Sequence, residues 1–357
     1  MLYLAGVGLA LFLSLLLVTK RNKTTADTLL SAWLILTTLH LLFFYLQTAR
    51  LYPVLLGAAM SLPLVHGPLL YAYTRALTNR ALPWKLLLLH LLPPFGTLVW
   101  SLPFLLLPAE QKQAIFDNHG VGYETFNMIH RVSVVASGIV YVVLSSLVLR
   151  QHRQAIAEEY SNTDKINLAW LQYLIYWIGA IWIGVLVRND TVIFTTATLF
   201  VVFIGYFGMR QVGIFHTLPA PEAATTEENP ERRKYQKSGL TAEAAERLHR
   251  DLTALMVQTK AYRESELSLN ELAGRLNTPA NYLSQVINER EGKTFYDYIN
   301  TLRVEEFKRL ATSPESRKYT LLGLAQECGF NSKSSFNRYF KKVTGKSPSQ
   351  FVPEMQE

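Results

Sequence analysis

Residues 320–345 read TLLGLAQECGFNSKSSFNRYFKKVTG, and residues 268–292 read SLNELAGRLNTPANYLSQVINEREG. The two stretches are versions of one unit. Corresponding residues lie 52 positions apart before one inserted residue and 53 after it: Leu272-Ala273 with Leu324-Ala325, and Gly292-Lys293 with Gly345-Lys346. Each stretch has the apolar spacing of two short helices joined by a tight turn, at Asn277 or Gly329. A repeated helical unit that presents one polar helix face suits the reading of two stretches of DNA.

The first unit begins with the capping box Ser268-x-x-Glu271, which starts a helix by satisfying free backbone N–H groups. Asn277 ends this helix because it tolerates a left-handed turn, and Thr278-Pro279 are expected to cap and begin the next one. The inward residues of that second helix are apolar: Leu283, Val286 and Ile287. Its outward residues are uncharged and able to hydrogen bond: Asn281, Ser284, Gln285 and Asn288. Asparagine and glutamine can pair bidentately with adenine, so we expect base contacts from this face.

The second unit repeats the plan with more positive charge. Its second helix is expected to be anchored by apolar residues: Phe336, Tyr339, Phe340 and Val343. The outward face and its flanks are polar or basic: Lys333, Ser334, Asn337, Arg338, Lys341 and Lys342. Between Gly329 and Val352 there are five Lys/Arg and no Asp/Glu, whereas Ser268–Lys293 contains three of each. We therefore expect the second unit to supply most of the phosphate attraction, with a guanine under Arg338.

The run from Ala325 to Lys342, continuing through Gly345-Lys346-Ser347-Pro348 to Phe351, resembles the DNA-binding domain of AraC/XylS-type transcription regulators. The helix Phe295–Val304 is similar to the one that links the two units in that family. The resemblance covers residues 234–352 and implies a seven-helix domain that places two recognition helices in successive major-groove segments. It also implies base-facing roles for six residues: Asn281, Ser284, Gln285, Ser334, Asn337 and Arg338. Two residues depart from the family's pattern, Phe307 in place of a small residue and Val352 in place of an arginine.

The first 216 residues have a different character. Hydrophobic residues make up 50% of the chain, its mean hydropathy is +0.14, and almost all the long apolar runs precede Arg210. Seven runs are long enough to cross a bilayer, which takes about 20 residues each: Leu2–Val18, Thr28–Leu46, Pro53–Leu77, Leu86–Leu107, Ile129–Leu149, Leu168–Val187 and Thr191–Met209. Basic residues follow the first run instead of preceding it, so we interpret it as an uncleaved span and not as a signal peptide.

The loops between these runs carry unequal positive charge. With the N-terminus outside, ten Lys/Arg lie in cytoplasmic loops and four outside, in agreement with the positive-inside rule. An odd number of spans then puts the C-terminus in the cytoplasm. We therefore expect an all-α, multi-pass protein of the bacterial inner membrane, with a transmembrane domain at residues 1–216, a linker at 217–240 and a DNA-binding domain at 241–357.

Histidines stand beside helix-breaking residues within the apolar runs. A rise of about 1.5 Å per residue puts His40 and His66 at similar depth, with His90 nearer the cytoplasmic end. Ionisable groups inside a membrane are costly and often functional, so His40, His66 and Arg131 are candidates for a ligand pocket. The alternative is that the histidines bond to neighbouring helices and Arg131 lies at the interface. We expect no metal and no cofactor.

We interpret the chain as a one-component, membrane-embedded transcription regulator and not as an enzyme. Five partners are expected: double-stranded DNA, the lipid bilayer, an unknown small-molecule or periplasmic signal, a second copy of the chain as a homodimer, and RNA polymerase if the protein activates transcription. The alternative is a membrane transporter or enzyme with a regulatory DNA-binding tail. Against it, the apolar runs contain no nucleophile–base arrangement, metal-ligand spacing or phosphate loop. Cleavage in the linker between Pro219 and Pro230 would release the domain without changing its function.

Overall fold

The computed structural model describes residues 2–164, 166–187, 189–211, 240–313 and 318–354. Within these ranges the regular elements are helices, which confirms the expected all-α class. The chain forms two compact units: Met1–Gln151 with Leu168–Pro219, and His152–Asn167 with Ala220–Glu357. The expected linker, residues 217–240, lies outside the described residues except for Leu240.

The first unit contains α1 (Leu2–Thr19), α2 (Thr25–Thr48), α3 (Pro63–Leu77), α4 (Trp84–His90), α5 (Leu92–Leu105), α6 (Ala109–Asp117), α7 (Glu124–Glu159), α8 (Ala169–Val187) and α9 (Asp190–Gln211), although the end of α7 belongs to the second unit. Among the described residues, five helices are long and apolar enough to cross a membrane: α1, α2, α7, α8 and α9. Helices α4 and α5 together form a sixth candidate, which is bent by 45°. Apolar side chains of α1, α2, α3, α8 and α9 share one buried core, at whose centre Trp33 is 1% exposed.

The expected span Pro53–Leu77 is not one α-helix. It begins as a 3₁₀ turn, and bonds of the i to i+3 type continue to the one between Val65 N and Leu62 O, at 3.0 Å. Gly57 interrupts regular helix here because its φ is +85°, and a Cβ on it would lie 2.6 Å from the Phe104 ring. The α-helical part, α3, has 15 residues and is about 22 Å long, short of the roughly 30 Å hydrocarbon core. A count of seven spans is therefore not confirmed.

The second unit contains the seven helices α10 (Ala242–Thr259), α11 (Leu269–Arg275), α12 (Ala280–Val286), α13 (Phe295–Ala311), α14 (Leu321–Glu327), α15 (Lys333–Thr344) and α16 (Pro348–Glu354) in its described part. A π-helical turn, Ile287–Glu291, extends α12. One hydrophobic core surrounds α11 and α12, and another surrounds α14 and α15. Helix α13 contributes Ile299 to the first core and Phe307 to the second. The two repeated helix pairs, α11–α12 and α14–α15, therefore pack on one shared helix.

Local sequence signals explain most of these boundaries. The capping box is present, since Ser268 N donates to Glu271 Oε2 at 2.9 Å and Glu271 N donates to Ser268 Oγ at 3.3 Å. The turns use left-handed residues, with φ of 49° at Asn277 and 96° at Gly329. A Cβ on Gly329 would lie 2.7 Å from the carbonyl oxygen of Arg263, so only glycine fits there. The expectation that Thr278 caps α12 is wrong, because Pro279 occupies the cap position without a side-chain bond.

Candidate nucleic-acid interface and ligand cavity

The expected outward face of α15 is on the surface. Its six polar or basic residues are all exposed: Lys333, Ser334, Asn337, Arg338, Lys341 and Lys342. On the opposite face Phe336, Tyr339 and Phe340 are at most 3% exposed and anchor the helix. Val343 was expected to join them but is 37% exposed. Lys342 donates to Asp297 Oδ1 at 2.6 Å, so this lysine has a partner within the unit.

The outward face of α12 agrees with the expectation less well. Asn281 is exposed, whereas Ser284 and Asn288 are half-buried and lie 3.4 Å apart through Oγ and Nδ2. Gln285 is only 7% exposed, because its side chain lies along its own helix and Nε2 donates to Glu289 Oε1 at 2.9 Å. The amide oxygen of Gln285 is buried without a hydrogen-bond partner among the described residues. In this conformation, therefore, Gln285 does not present its amide outward.

A segment from far away in the sequence lies against the start of α15. The carboxylate of Asp164 accepts hydrogen bonds from Ser332 Oγ, at 2.7 Å, and from Ser335 Oγ. Its other oxygen is 3.6 Å from Arg338 Nη2. Residues 160–164, which we call the α7–α8 segment, thus contact the residue expected to read a guanine. Sequence reasoning missed this contact because it joins residues more than 160 positions apart.

The α7–α8 segment is fixed by a buried arginine. Arg303 is 1% exposed, and it donates to Ser161 Oγ at 3.1 Å and to the carbonyl oxygen of Tyr262 at 2.6 Å. Burial lowers the pKa of Arg303 to about 10, which leaves the guanidinium charged at neutral pH. Asn300 Nδ2 adds a bond of 2.9 Å to the carbonyl oxygen of Ser161. The segment is therefore an integral part of the second unit.

In the first unit, His40, His66 and Arg131 line one cavity of about 340 Å³. Trp33 Nε1 donates to His66 Nδ1 at 3.0 Å, and His66 Nε2 lies 3.0 Å from His40 Nδ1. Because indole only donates, neutral rings must carry their protons on His66 Nε2 and His40 Nε2. This relay leaves the Nε2–H of His40 without a partner among the described residues. His90 does not line this cavity and bonds instead to Tyr141.

Two more polar atoms of the cavity wall are unsatisfied. Within the described part of the chain, Trp182 Nε1 and His130 Nδ1 are buried and have no hydrogen-bond partner. Arg131 forms no salt bridge with a described residue. The remaining wall is mainly apolar, with Val134, Ile178, Phe194 and Phe200 among its residues. An apolar cavity with a few converging polar groups is typical of a small-molecule site.

Comparison with known proteins identifies the C-terminal fold. Residues 272–353 match the family described as "Helix-turn-helix domain". This match spans α12 and α15 and agrees with the AraC-type resemblance of the sequence. The second unit therefore carries an AraC-type helix-turn-helix domain. No solved structure matches the chain.

The relatives are named as transcription regulators. The chain is 29% identical over 92 residues to the Msm operon regulatory protein of Streptococcus mutans. The aligned stretch covers 26% of this chain and 32% of that protein. It is 34% identical over 86 residues to an uncharacterised HTH-type transcriptional regulator of Staphylococcus aureus strain COL, covering 24% of this chain and 11% of that protein. It is 30% identical over 88 residues to the HTH-type transcriptional regulator YtdP of Bacillus subtilis, covering 25% and 11%. The chain thus spans a third or less of these relatives.

Proposed function

We propose that the protein is a membrane-embedded, one-component transcription regulator that binds specific DNA sequences through its two helix-turn-helix units. The observation that carries this proposal is the exposed face of α15, which combines Asn337 and Arg338 with Lys333 and Lys341. Arginine and asparagine read base edges in the major groove, and lysines attract phosphates. The relatives' names support the same function for the second unit.

The proposal is tested by selecting DNA from a random-sequence duplex pool with the full-length protein in lipid nanodiscs. We expect a two-part motif whose parts are one helical turn apart, because the two recognition helices belong to one rigid repeat. The selected duplex should bind wild-type protein and lose its sequence preference with Arg338→Ala. Recovery of no enriched sequence by any form of the protein would contradict DNA recognition.

We further propose that the cavity of the first unit receives the signal. Its donors, the Nε2–H of His40 and the Nε1–H of Trp182, would bind hydrogen-bond acceptors, and Arg131 would favour an anionic group. The apolar walls fit a hydrocarbon body. The expected ligand class is therefore a small amphiphilic acid. With the N-terminus outside, this end of the spans faces the periplasm, as for a periplasmic or lipid-borne signal.

A co-purified ligand can be detected by native mass spectrometry of the protein released from detergent micelles. We expect a bound mass of amphiphile size that is lost with His40→Phe or Arg131→Ala. His90→Phe is the matched control, because that histidine lies outside the cavity, and it should retain the mass. Retention of the same mass by all three variants would show that the molecule binds elsewhere.

The alternative, a transporter or membrane enzyme with a regulatory DNA-binding tail, would use the same cavity for translocation or catalysis. It predicts that cells take up or convert a metabolite in a manner that depends on His66. The regulator predicts instead that His66→Phe changes transcription of target genes and leaves uptake unchanged. Measurement of both readouts in one strain separates the two functions.

A further inference from the structure

The N-terminus of the recognition helix α15 holds an anion that comes from the chain itself. Ser332, the N-cap residue, and Ser335 both direct hydroxyl groups at the Asp164 carboxylate. Arg338, one turn further along, has its guanidinium 3.6 Å from the second carboxylate oxygen. The first-turn backbone N–H groups of a helix carry a partial positive charge and favour anions. Two hydroxyls, a helix end and a cation thus converge on one acidic group.

This arrangement has the chemistry of a phosphate site. A phosphodiester shares one negative charge between two oxygens that can accept from hydroxyls and pair with arginine. The Asp164 carboxylate likewise accepts from Ser332 and Ser335 and lies near Arg338. Contacts of this kind, from serine side chains and helix N-termini to the DNA backbone, position a recognition helix without reading sequence. The sequence pattern did not indicate Ser332 or Ser335 as DNA-binding residues, and in the structure Ser335 is only 8% exposed.

We propose that Ser332 and Ser335 form a binding site for a DNA backbone phosphate and that Asp164 occupies this site when DNA is absent. The inference rests on the proposed DNA-binding function. Ser332 and Ser335 would add a phosphate contact to the base contacts of α15. The α7–α8 segment, through Asp164, would compete with DNA for these two serines. Arg338 is held by the same carboxylate and becomes free to reach a base only when Asp164 leaves.

The two occupants exclude each other. Each serine hydroxyl has one proton to donate, so it cannot donate to the carboxylate and to a phosphate at once. The Asp164 carboxylate and a DNA phosphate bound to the same serines would also repel each other. Asp164 lies three residues after Ser161, which Arg303 and Asn300 hold in place, so its position is set by the fold.

The competition gives the first unit a route to the DNA-binding domain. The α7–α8 segment connects two of the helices that are long and apolar enough to cross a membrane. A change in the relative positions of α7 and α8 would alter how Asp164 meets α15. The coupling would then run through this segment, in addition to any contribution from the chain between α9 and α10.

The experiment measures binding of one selected duplex to full-length protein in nanodiscs, for wild type, Asp164→Asn and Glu159→Gln. Loss of the Asp164 charge should tighten binding about tenfold, within the range of ordinary allosteric coupling. Glu159→Gln removes one negative charge from the same region, where Glu159 accepts a hydrogen bond from Asn270 Nδ2. It should change the affinity by less than about twofold, because charges at a distance from the bound phosphate are screened.

A second substitution tests the phosphate site itself. Adding Ser335→Ala to the Asp164→Asn protein should weaken binding several-fold for all sequences alike, since a backbone contact carries no sequence information. Asp164→Asn binding no tighter than wild type, or no tighter than Glu159→Gln, would overturn the competition. A double variant that binds as tightly as Asp164→Asn alone would overturn the phosphate site. If no form binds any duplex, the proposed function fails, and this inference fails with it.

Discussion

Arg338 and Lys341 stand one turn apart on the exposed face of α15 and are expected to differ in role. Arginine can bond bidentately to guanine, so Arg338→Ala should cost about 1–3 kcal/mol of binding free energy and relax specificity at one base pair. Lys341→Ala should weaken binding to all sequences equally and reduce the salt slope by about 1. Titrations of cognate and single-mismatch duplexes at several salt concentrations measure both effects. A uniform loss of affinity for Arg338→Ala would contradict base reading.

Glu306 is a buried acid of the second unit whose carboxylate is shared by several cations. Its side chain is 6% exposed. Three cations donate to its carboxylate: Arg309, Arg263 and Lys260. The hydrogen bonds from Arg309, then those from Arg263 and Lys260, hold the pKa of Glu306 far below its ordinary value. A carboxylate with a depressed folded-state pKa stabilises the protein above its unfolded pKa of about 4.3, and this stability is lost as the pH falls.

Glu306→Gln should therefore destabilise the second unit by about 3 kcal/mol at neutral pH, because it leaves three cations without their shared anion. The variant should also lose less stability than wild type between about pH 5 and pH 2. Hydrogen exchange of the α13 amides, corrected for intrinsic rates, reports on this unit alone. Glu305→Gln is the control, since that side chain is 53% exposed and bonds to Lys308. Equal effects of the two substitutions on stability would show that the three cations around Glu306 do not give its carboxylate an added stabilising role.

At the scale of elements, α13 holds the two helix pairs α11–α12 and α14–α15 together. Its Phe307 is fully buried, with ring centroids 4.6 Å from Phe336 and 5.4 Å from Phe340. Phe307→Ala should destabilise the second core by about 3–5 kcal/mol, because the cavity left behind cannot fill completely. Val343→Ala, on the exposed side of α15, should cost less than about 1 kcal/mol. Exchange of α15 amides compares the two variants, and similar losses would contradict the assignment of Phe307 to the core.

The elements also divide into those that sequence predicts and those that it does not. Helix-turn-helix boundaries follow from nearest neighbours: the Ser268 cap, the left-handed Asn277 and the obligatory Gly329 each act over a few residues. The side chains of α15 could be assigned because a long helical periodicity separates inward from outward residues. The burial of Gln285 could not be predicted, because its amide can bond either to Glu289 on the same helix or to an outside partner, and the sequence favours neither. The contact of Asp164 with α15 depends on tertiary folding and has no local signal.

At the scale of the whole molecule, the fold itself restricts the membrane topology. The α7–α8 segment is packed into the unit that carries the helix-turn-helix domain, so if the candidate helices cross a membrane, both lie on the same side of it. Two candidate spans, α8 and α9, separate the segment from α10, and two crossings return the chain to the side it left.

The unconfirmed spans, α3 and the bent pair α4–α5, determine on which side of the membrane the N-terminus lies. If α3 and the bent pair α4–α5 both cross, or neither crosses, the N-terminus is opposite the DNA-binding unit; if only one crosses, both ends share a side.

The loop between α3 and α4 shows whether the bent pair α4–α5 crosses. It and its flanks carry Arg75, Arg80 and Lys85, and positive charge is retained on the cytoplasmic side. We therefore expect Asn79→Cys to resist a membrane-impermeant maleimide in intact spheroplasts, as a seven-span protein requires. Asn118→Cys, in the loop before α7, should be labelled whether or not α3 and the bent pair cross. The native Cys328 should not react with the maleimide, because it is fully buried and burial raises the pKa of its thiol to about 12. Labelling of Asn79→Cys as readily as Asn118→Cys would mean that the bent pair α4–α5 does not cross, which excludes a seven-span protein.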